Sequence, residues 1–291
     1  MPTTVLVLGA SGMLGNAVLR FFAASPGYTA FGSMRTTSQL AKLPSAVRRR
    51  VIAGVDVENT DSLMRLFSAV RPQVVINCIG LVKQLAEADD PLLALPINAM
   101  LPHRLARLCD VARARLVHVS TDCVFSGARG NYIEGDSPDA QDLYGRSKLL
   151  GEVDYPHAVT LRTSIIGHEL SSANGLVGWF LAQQGRVSGY RRAVFSGLPT
   201  IELARVIRDH VLPRPALRGT YHVSASPINK FDLLKLVART YGKEIEIVED
   251  DAVLIDRSLD STRFRTETGY APDDWPALVA RMHAFQAAAA D

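Results

Sequence analysis

Val5-Leu6-Val7-Leu8-Gly9-Ala10-Ser11-Gly12-Met13-Leu14-Gly15 runs from an apolar strand through a glycine-spaced turn into an apolar helix. Gly9 permits the tight turn, Gly12 lets backbone approach a pyrophosphate, and Gly15 lets the helix pack on the strand. The helix start offers free N–H groups and the positive end of the dipole to phosphate. Glycine used merely for backbone freedom is the competing reading. The strand before and helix after are the context that favours a dinucleotide turn.

Outward from that turn, short β-branched runs alternate with helical patterns, as in a parallel sheet with crossover helices. Strands are expected at Val5–Leu8, Thr29–Gly32, Val51–Gly54, Val74–Asn77, Leu116–Val119 and Val159–Arg162. Helices are expected at Leu14–Ala23, Ser62–Val70 and Leu101–Ala112, the last with Leu101, Leu105, Leu108 and Ala112 on one face. Beyond residue 163 the regularity loosens. Gly175–Gln184, Glu202–His210 and Asp273–Gln286 read as helices, Arg186–Pro199 as irregular, and Thr220–Ser224 as a strand. Asn229 caps a helix with Phe231, Leu234, Val237 and Tyr241 on its apolar face, ended by Gly242, and Ala287–Ala290 reads as a frayed tail. The expected fold is α/β: a Rossmann-type, doubly wound parallel sheet with a smaller α/β lobe built mainly from the C-terminal part. Residues 1–163 form the dinucleotide-binding domain, with 193–224 returning to it; 164–192 and 225–291 form the substrate lobe.

The chain has 291 residues, is 47% hydrophobic and 21% charged, and carries a formal charge of +3. The sequence pI of about 8.8 does not signal nucleic acid, because the basic residues form no long stripe. The densest cluster, Arg48-Arg49-Arg50, reads as a solvated loop end. Cys78, Cys109 and Cys123 show no metal-binding or disulfide spacing, so no metal is expected. No signal peptide and no membrane span are read, and a reduced, cytoplasmic protein, monomer or homodimer, is the expectation.

Two further stretches carry chemistry. Leu116-Val117-His118-Val119-Ser120-Thr121-Asp122 delivers hydroxyls to the sheet's C-terminal edge, where open α/β sheets bind ligands. Ser-Thr-Asp is also a common cap string. Tyr144 and Lys148, in Leu143-Tyr144-Gly145-Arg146-Ser147-Lys148-Leu149, lie four apart on one helix face. A phenol is a weak acid, with a reference pKa of about 10. The ammonium is expected to stabilise the phenolate, so that the pair hands a proton to a carbonyl oxygen while hydride arrives at its carbon. Thr121 can donate to that oxygen, and Asp122 can orient the hydroxyl or contact substrate. The intervening loop, Ser126–Asp139, could cover substrate. At the end of the second strand Arg35 and Ser33 stand where a carboxylate would favour NADH, so NADPH is preferred, with NADH an alternative. Arg35 reads otherwise as a solvated loop residue. Asp56 is placed to meet the adenine edge or to cap the following helix.

These residues resemble those of an extended short-chain dehydrogenase/reductase, and most of all the dTDP-4-dehydrorhamnose reductase family. The likeness covers most of the chain: Gly9 to Gly15, Val74–Gly80, Ser120–Gly127, Tyr144–Glu152, Leu161–Ser164, Ser196–Thr200 and Gly219–Ser224. It implies an NADPH-dependent reductase of a nucleotide-linked 4-keto-6-deoxy sugar, in dTDP-rhamnose or cell-surface polysaccharide biosynthesis. It implies Tyr144 as proton donor, Lys148 as the group that tunes it and holds the nicotinamide ribose, Thr121 as the carbonyl anchor and Asp122 as its neighbour. The cofactor would be held by Gly9, Ser11, Gly12, Met13, Leu14, Gly15, Arg35, Asp56, Val57, Cys78, Ile79 and Gly80, with Tyr144 and Lys148. Lys83, Ser120, Arg191, Arg192, Arg257 and Arg263 are the candidate substrate contacts, the arginines for its diphosphate. Where the family commonly has an aromatic residue near the sugar, this chain has Ile165-Ile166-Gly167-His168. Cys123 occupies the place of the glutamate that sugar-nucleotide dehydratases use, which disfavours dehydration. An epimerase, and a cofactor-loaded regulatory module resembling that of methionine adenosyltransferase, remain as alternatives.

Overall fold

A computed structural model describes residues 1–81 and 89–288. Lys83 lies outside the described residues, as do the last residues of the C-terminal tail.

The chain opens with β1 (Thr3–Leu8), α1 (Met13–Ala23), β2 (Tyr28–Met34), α2 (Ser45–Arg48), β3 (Val51–Ala53), α3 (Thr60–Val70) and β4 (Val74–Asn77). There follow α4 (Pro91–Ala94), a π-helical turn Leu95–Met100, α5 (Leu101–Ala112), β5 (Arg115–Thr121), α6 (Leu143–Leu150) and β6 (Ala158–Thr163). Later elements are β7 (Ile165–Ile166), α7 (Leu176–Ala182), β8 (Arg186–Tyr190), β9 (Ala193–Phe195), β10 (Leu198–Pro199), α8 (Thr200–Val206) and β11 (Gly219–His222). The chain closes with β12 (Ile228–Asn229), α9 (Lys230–Tyr241), β13 (Glu246–Asp250), β14 (Ile255–Asp256), α10 (Thr262–Thr268) and α11 (Trp275–Ala287).

Seven strands form one parallel sheet in the order β11-β6-β5-β4-β1-β2-β3. From β1 the chain winds outward through β2 and β3, then returns to the other side of β1 with β4. That reversal opens a crevice beyond the C-terminal ends of β1 and β4, the place where such sheets bind ligands.

Strand alternation explains why both faces are covered. Val5 and Val7 pack into one core with Val18, Leu19 and Phe22 of α1, while Leu6 and Leu8 pack into another with residues of α3 and α5. In α3 the stripe is Leu63, Leu66, Phe67 and Val70, behind an Asn59 cap that accepts from Ser62 N at 2.9 Å. The α5 stripe runs Leu101, Leu105 and Cys109; Ala112, which the spacing also suggested, is exposed.

The later half holds more structure than its sequence pattern suggested. Residues 186–199, read as irregular, contain three short strands. β8 pairs with β13, β7 with β10, and β9 lies between β12 and β14. Of the segment 193–224, only Gly219–His222 pairs with the central sheet. Asn229 caps α9 at 2.8 Å and Gly242 ends it at φ 62°, while its buried face centres on Leu233, Leu234 and Val237.

Candidate active site

At the end of β1 the backbone turns at Gly9, with φ +83°. A Cβ on Gly15 would lie 2.0 Å from the Gly9 carbonyl oxygen, so α1 seats directly on the turn and no larger residue fits. No side chain caps α1, which leaves its start facing the crevice for an anionic group. Ala10 N donates to Ser33 O at 2.8 Å, tying the turn to β2; Arg35 follows that strand, exposed and with no side-chain hydrogen bond or ion pair among the described residues. Asp56 does not cap the next helix. Asn59 does, and the Asp56 carboxylate accepts from Glu58 N at 3.0 Å instead.

The opposite wall is Cys78-Ile79-Gly80, beyond β4. Burial pushes the Cys78 thiol up to about 12, against the pull of Lys148, so it stays a neutral wall group. The Cβ position of Gly80 lies 3.8 Å from Lys148 Nζ, which brings helix α6 to the crevice. Asn98, which sequence reading missed, clamps this join. It accepts from Leu81 N at 2.9 Å and donates to Leu81 O and to Ser147 Oγ, each at 3.1 Å. Its only sequence signal was a lone amide in an apolar helical run.

Helix α6 starts on Asp142, whose carboxylate accepts from Gly145 N at 2.7 Å. A Cβ on Gly145 would sit 2.3 Å from the Cys123 carbonyl oxygen, so α6 lies directly against the backbone that follows Thr121-Asp122. This close approach carries Tyr144 to the end of β5. Lys148 is buried, and its ammonium donates to Val119 O at 2.9 Å. Burial lowers its pKa to about 8, opposed by Glu152 and Cys78. Burial also raises the Tyr144 phenol well above its ordinary value; Cys123 and Asp122 push the same way, and hydrogen bonding to Thr121 pulls against them. The net lowering expected from Lys148 is therefore not what the site shows: desolvation is the largest cause, and the shift is upward.

Thr121 is buried and already bonded, accepting from Cys123 N at 3.1 Å and donating to Asp122 Oδ1 at 3.2 Å. Burial raises the Asp122 carboxyl, chiefly against the field of Arg257. Cys123 is driven to about 12 by burial and the charge of Asp122, so it offers no thiolate base.

Ser120, a candidate substrate contact, has its hydroxyl engaged within the protein. Its hydroxyl donates to Glu152 Oε1 at 2.8 Å, and Glu152 pairs with Arg162 through bonds of 2.7 and 2.6 Å. The pair is deeply buried, the side chains 8% and 7% exposed. Arg162 also meets His222 Nε2 at 3.3 Å, and His222 Nδ1 meets Tyr132 O at 2.9 Å. Burial and Arg162 lower His222 to about 4, so it is neutral: Nε2 accepts from the guanidinium and Nδ1 donates to the carbonyl. One buried network thus joins β5 to the loop after Ser126.

That loop is anchored to the later half. Phe125 stacks on Tyr132 at 4.2 Å, Tyr132 N donates to Ser258 O at 2.9 Å, and Asp256 N donates to Gly127 O at 2.8 Å. Among the candidate arginines, Arg257 reaches the site through Nε, which donates to Phe125 O at 2.9 Å. Arg191 is held at the exposed β8–β13 pair by Glu249, at 2.7 Å, and by Asp251. Arg263 is engaged by Glu267 at 3.2 Å and lies over the Tyr221 ring. Arg192 is exposed, and its backbone carbonyl accepts from Ile255 N at 3.1 Å. Lys230 was missed: it lies at the start of α9, within the field of Asp122 and Arg257. No group of three metal-ligating side chains occurs among the described residues, and no helix there is long and apolar enough to cross a membrane.

The family described as RmlD substrate binding domain matches residues 3–283. The probable low-salt glycan biosynthesis reductase Agl14 of Haloferax volcanii is 29% identical over 266 residues, covering 87% of this chain and 83% of that protein. The methionine adenosyltransferase 2 subunit beta of Danio rerio is 28% identical over 257 residues, covering 82% and 74%. The crystal structure of dTDP-4-dehydrorhamnose reductase from Bacillus anthracis, in complex with NADP, superposes with a TM-score of 0.79 at 22% identity, covering 98% of this chain and 99% of that one.

Proposed function

The chain belongs to the RmlD substrate-binding-domain family and is an NAD(P)H-dependent oxidoreductase of the extended short-chain type, and from that premise we propose that it reduces a nucleotide-linked 4-keto-6-deoxy sugar with NADPH. The observation that carries this is the meeting of Tyr144 and Thr121 at the end of β5 while Lys148 reaches Gly80 on the wall of the crevice. The Gly15 close approach, the uncapped start of α1 and the exposed Arg35 fit a dinucleotide with a 2′-phosphate. When bound, NADPH supplies a hydride to the carbonyl carbon.

The chain's own residues do the rest. Tyr144, kept protonated by burial, donates its proton to the substrate oxygen as negative charge grows there. Thr121 meets the same oxygen, its hydroxyl turning from Asp122 to do so. Lys148, poised near neutrality at about 8, stabilises the phenolate left behind and then helps return its proton from solvent. Cys123 and Asp122 offer no base pair for water elimination, which favours simple reduction. The Bacillus anthracis reductase in complex with NADP supports the cofactor, and the Haloferax volcanii reductase supports the reaction class.

Steady-state oxidation of NADPH and of NADH against a panel of dTDP- and UDP-linked 4-keto-6-deoxy hexoses tests the proposal. Turnover with at least one member, faster with NADPH, is expected. The methionine adenosyltransferase subunit among the relatives favours a second reading, a cofactor-loaded regulatory module. Tight NADPH binding with no turnover on the whole panel would move the assignment there.

A further inference from the structure

One histidine of β5 is fully buried yet leaves a ring nitrogen unmatched. His118 has no exposed surface, and its Nε2 has no hydrogen-bond partner among the described residues. Its Nδ1 lies 3.1 Å from Nδ2 of Asn77, the residue opposite it in the β4–β5 register. The neighbours decide how this pair is protonated. The Asn77 side chain accepts from Ile79 N at 3.1 Å, and a backbone N–H can only donate, so the amide oxygen is fixed on that side. The amide NH2 therefore points at His118, Nδ1 accepts, and the neutral ring carries its proton on Nε2. A protonated ring would set N–H against NH2. In keeping with this, burial, and then the charges of Lys148 and His103, hold the pKa of His118 well below its ordinary value. A buried ring nitrogen without a partner is unfavourable. Here it is the consequence of an amide orientation that serves Ile79.

The backbone that Asn77 holds lines the crevice. A Cβ on Gly9 would lie 3.0 Å from the Ile79 side chain, and one on Gly80 would lie 3.8 Å from Lys148 Nζ. Lys148 in turn donates to the carbonyl of Val119, the residue after His118. The contacts close a ring through His118, Asn77, Ile79–Gly80, Lys148 and Val119. Asn98 holds the same wall one residue further on, at Leu81. We propose that His118 is a positioning residue: through the Asn77 amide it fixes the Ile79–Gly80 backbone at the spacing from Lys148 that the nicotinamide half of the dinucleotide requires. Its ring touches neither cofactor nor substrate and keeps one protonation state throughout. The adenine half lies elsewhere, since β2, which leads to Arg35, flanks β1 on the side opposite β4. The inference rests on the oxidoreductase reading and refines it, by assigning the set of the crevice wall to a buried pair behind it.

The test is binding by the full chain, which needs no turnover, so it fails separately from the reductase assignment. NADPH and 2′,5′-ADP, which keeps the adenine half and lacks the nicotinamide half, are titrated calorimetrically into wild type, His118→Asn, His118→Gln and His118→Leu. Asparagine sets an oxygen near the place of Nδ1 and keeps the acceptor for Asn77; glutamine and leucine do not. The glutamine and leucine variants should bind NADPH about three- to tenfold more weakly, the scale of one neutral hydrogen bond, with 2′,5′-ADP unchanged. The asparagine variant should stay within about twofold of wild type for both probes. The fluorescence of bound NADPH, which reports the surroundings of the nicotinamide, should change in the same two variants and not in His118→Asn. Should His118→Leu fail to fold, the comparison of glutamine with asparagine decides. Equal weakening of both probes would make His118 a packing residue and overturn the proposal. So would unchanged NADPH affinity in the glutamine and leucine variants, an asparagine variant as weak as they are, or a wild type that binds no NADPH.

Discussion

Replacing Glu152 by Gln removes one negative charge from the most deeply buried ion pair described in the molecule. Its partner Arg162 is 7% exposed and would keep its charge, with His222 held neutral beside it. Breaking a buried pair from one side typically costs about 3–5 kcal/mol, because the remaining charge is left uncompensated. At about 2.1 cal/mol/K of unfolding entropy per residue, a chain of 291 residues has about 0.6 kcal/mol/K at its midpoint. The Tm should therefore fall by about 5–8 °C. A second effect reaches the chemistry. Glu152 opposes the burial that lowers Lys148 to about 8, so in Glu152→Gln the ammonium deprotonates at lower pH. Activity that needs charged Lys148 declines as pH rises through about 8 in wild type, and the decline should begin at lower pH in the variant. The assays are differential scanning calorimetry and the pH profile of kcat/KM, which reports groups of the free enzyme. The double variant Glu152→Gln, Arg162→Met should recover much of the stability but not the profile. A Tm within about 1 °C of wild type, or an alkaline limb that does not move, would refute the reasoning.

Two further substitutions address cofactor and substrate. Arg35→Ala should weaken NADPH about tenfold or more, the scale of a charge-assisted bond to a 2′-phosphate, and leave NADH nearly unchanged in a fluorescence titration; equal losses for both would show that Arg35 does not meet the phosphate. Thr121→Val should lower kcat far more than it changes KM, since the hydroxyl acts mainly on the charge of the transition state. It should also lower the Tm by up to about 5 °C, because the part-buried Cys123 N–H loses its acceptor, whereas Thr121→Ser keeps both; normal turnover by the valine variant would remove Thr121 from the mechanism.

The central sheet was legible because its signals are local and repeated: Val5–Leu8, Val74–Asn77 and their neighbours are apolar runs, and the amphipathic helices α1, α3 and α5 alternate with them. The short strands of the later half were not. β7, β10, β12 and β14 have two residues each, and β8 alternates exposed with buried positions over only five, too little for a periodicity to register. Helix α10 has a thin apolar signal, with Phe264 and Thr268 its buried positions. In the site, the spacing of Tyr144 and Lys148 was readable, but the sign of the phenol's shift was not, because it depends on desolvation that only packing creates. Ser120 and Arg191 looked free in sequence because their acids, Glu152, Glu249 and Asp251, lie 32 to 60 residues away. Asn98 gave only the faint signal of a lone amide in an apolar run, since it matters through what the fold sets beside it.

The central claim is that Tyr144 supplies the proton in a net reduction. The most direct measurement is the rate of NADPH oxidation, with product sugar nucleotide quantified alongside, for wild type and Tyr144→Phe on a 4-keto-6-deoxy sugar nucleotide. One NADPH should be consumed per sugar reduced by wild type. The variant should turn over about a hundredfold more slowly or worse, the scale of a positioned general acid, with NADPH affinity within about twofold of wild type, since the ring is kept. A Tyr144→Phe protein as fast as wild type, or a wild-type protein that converts the sugar without consuming NADPH, would contradict the account.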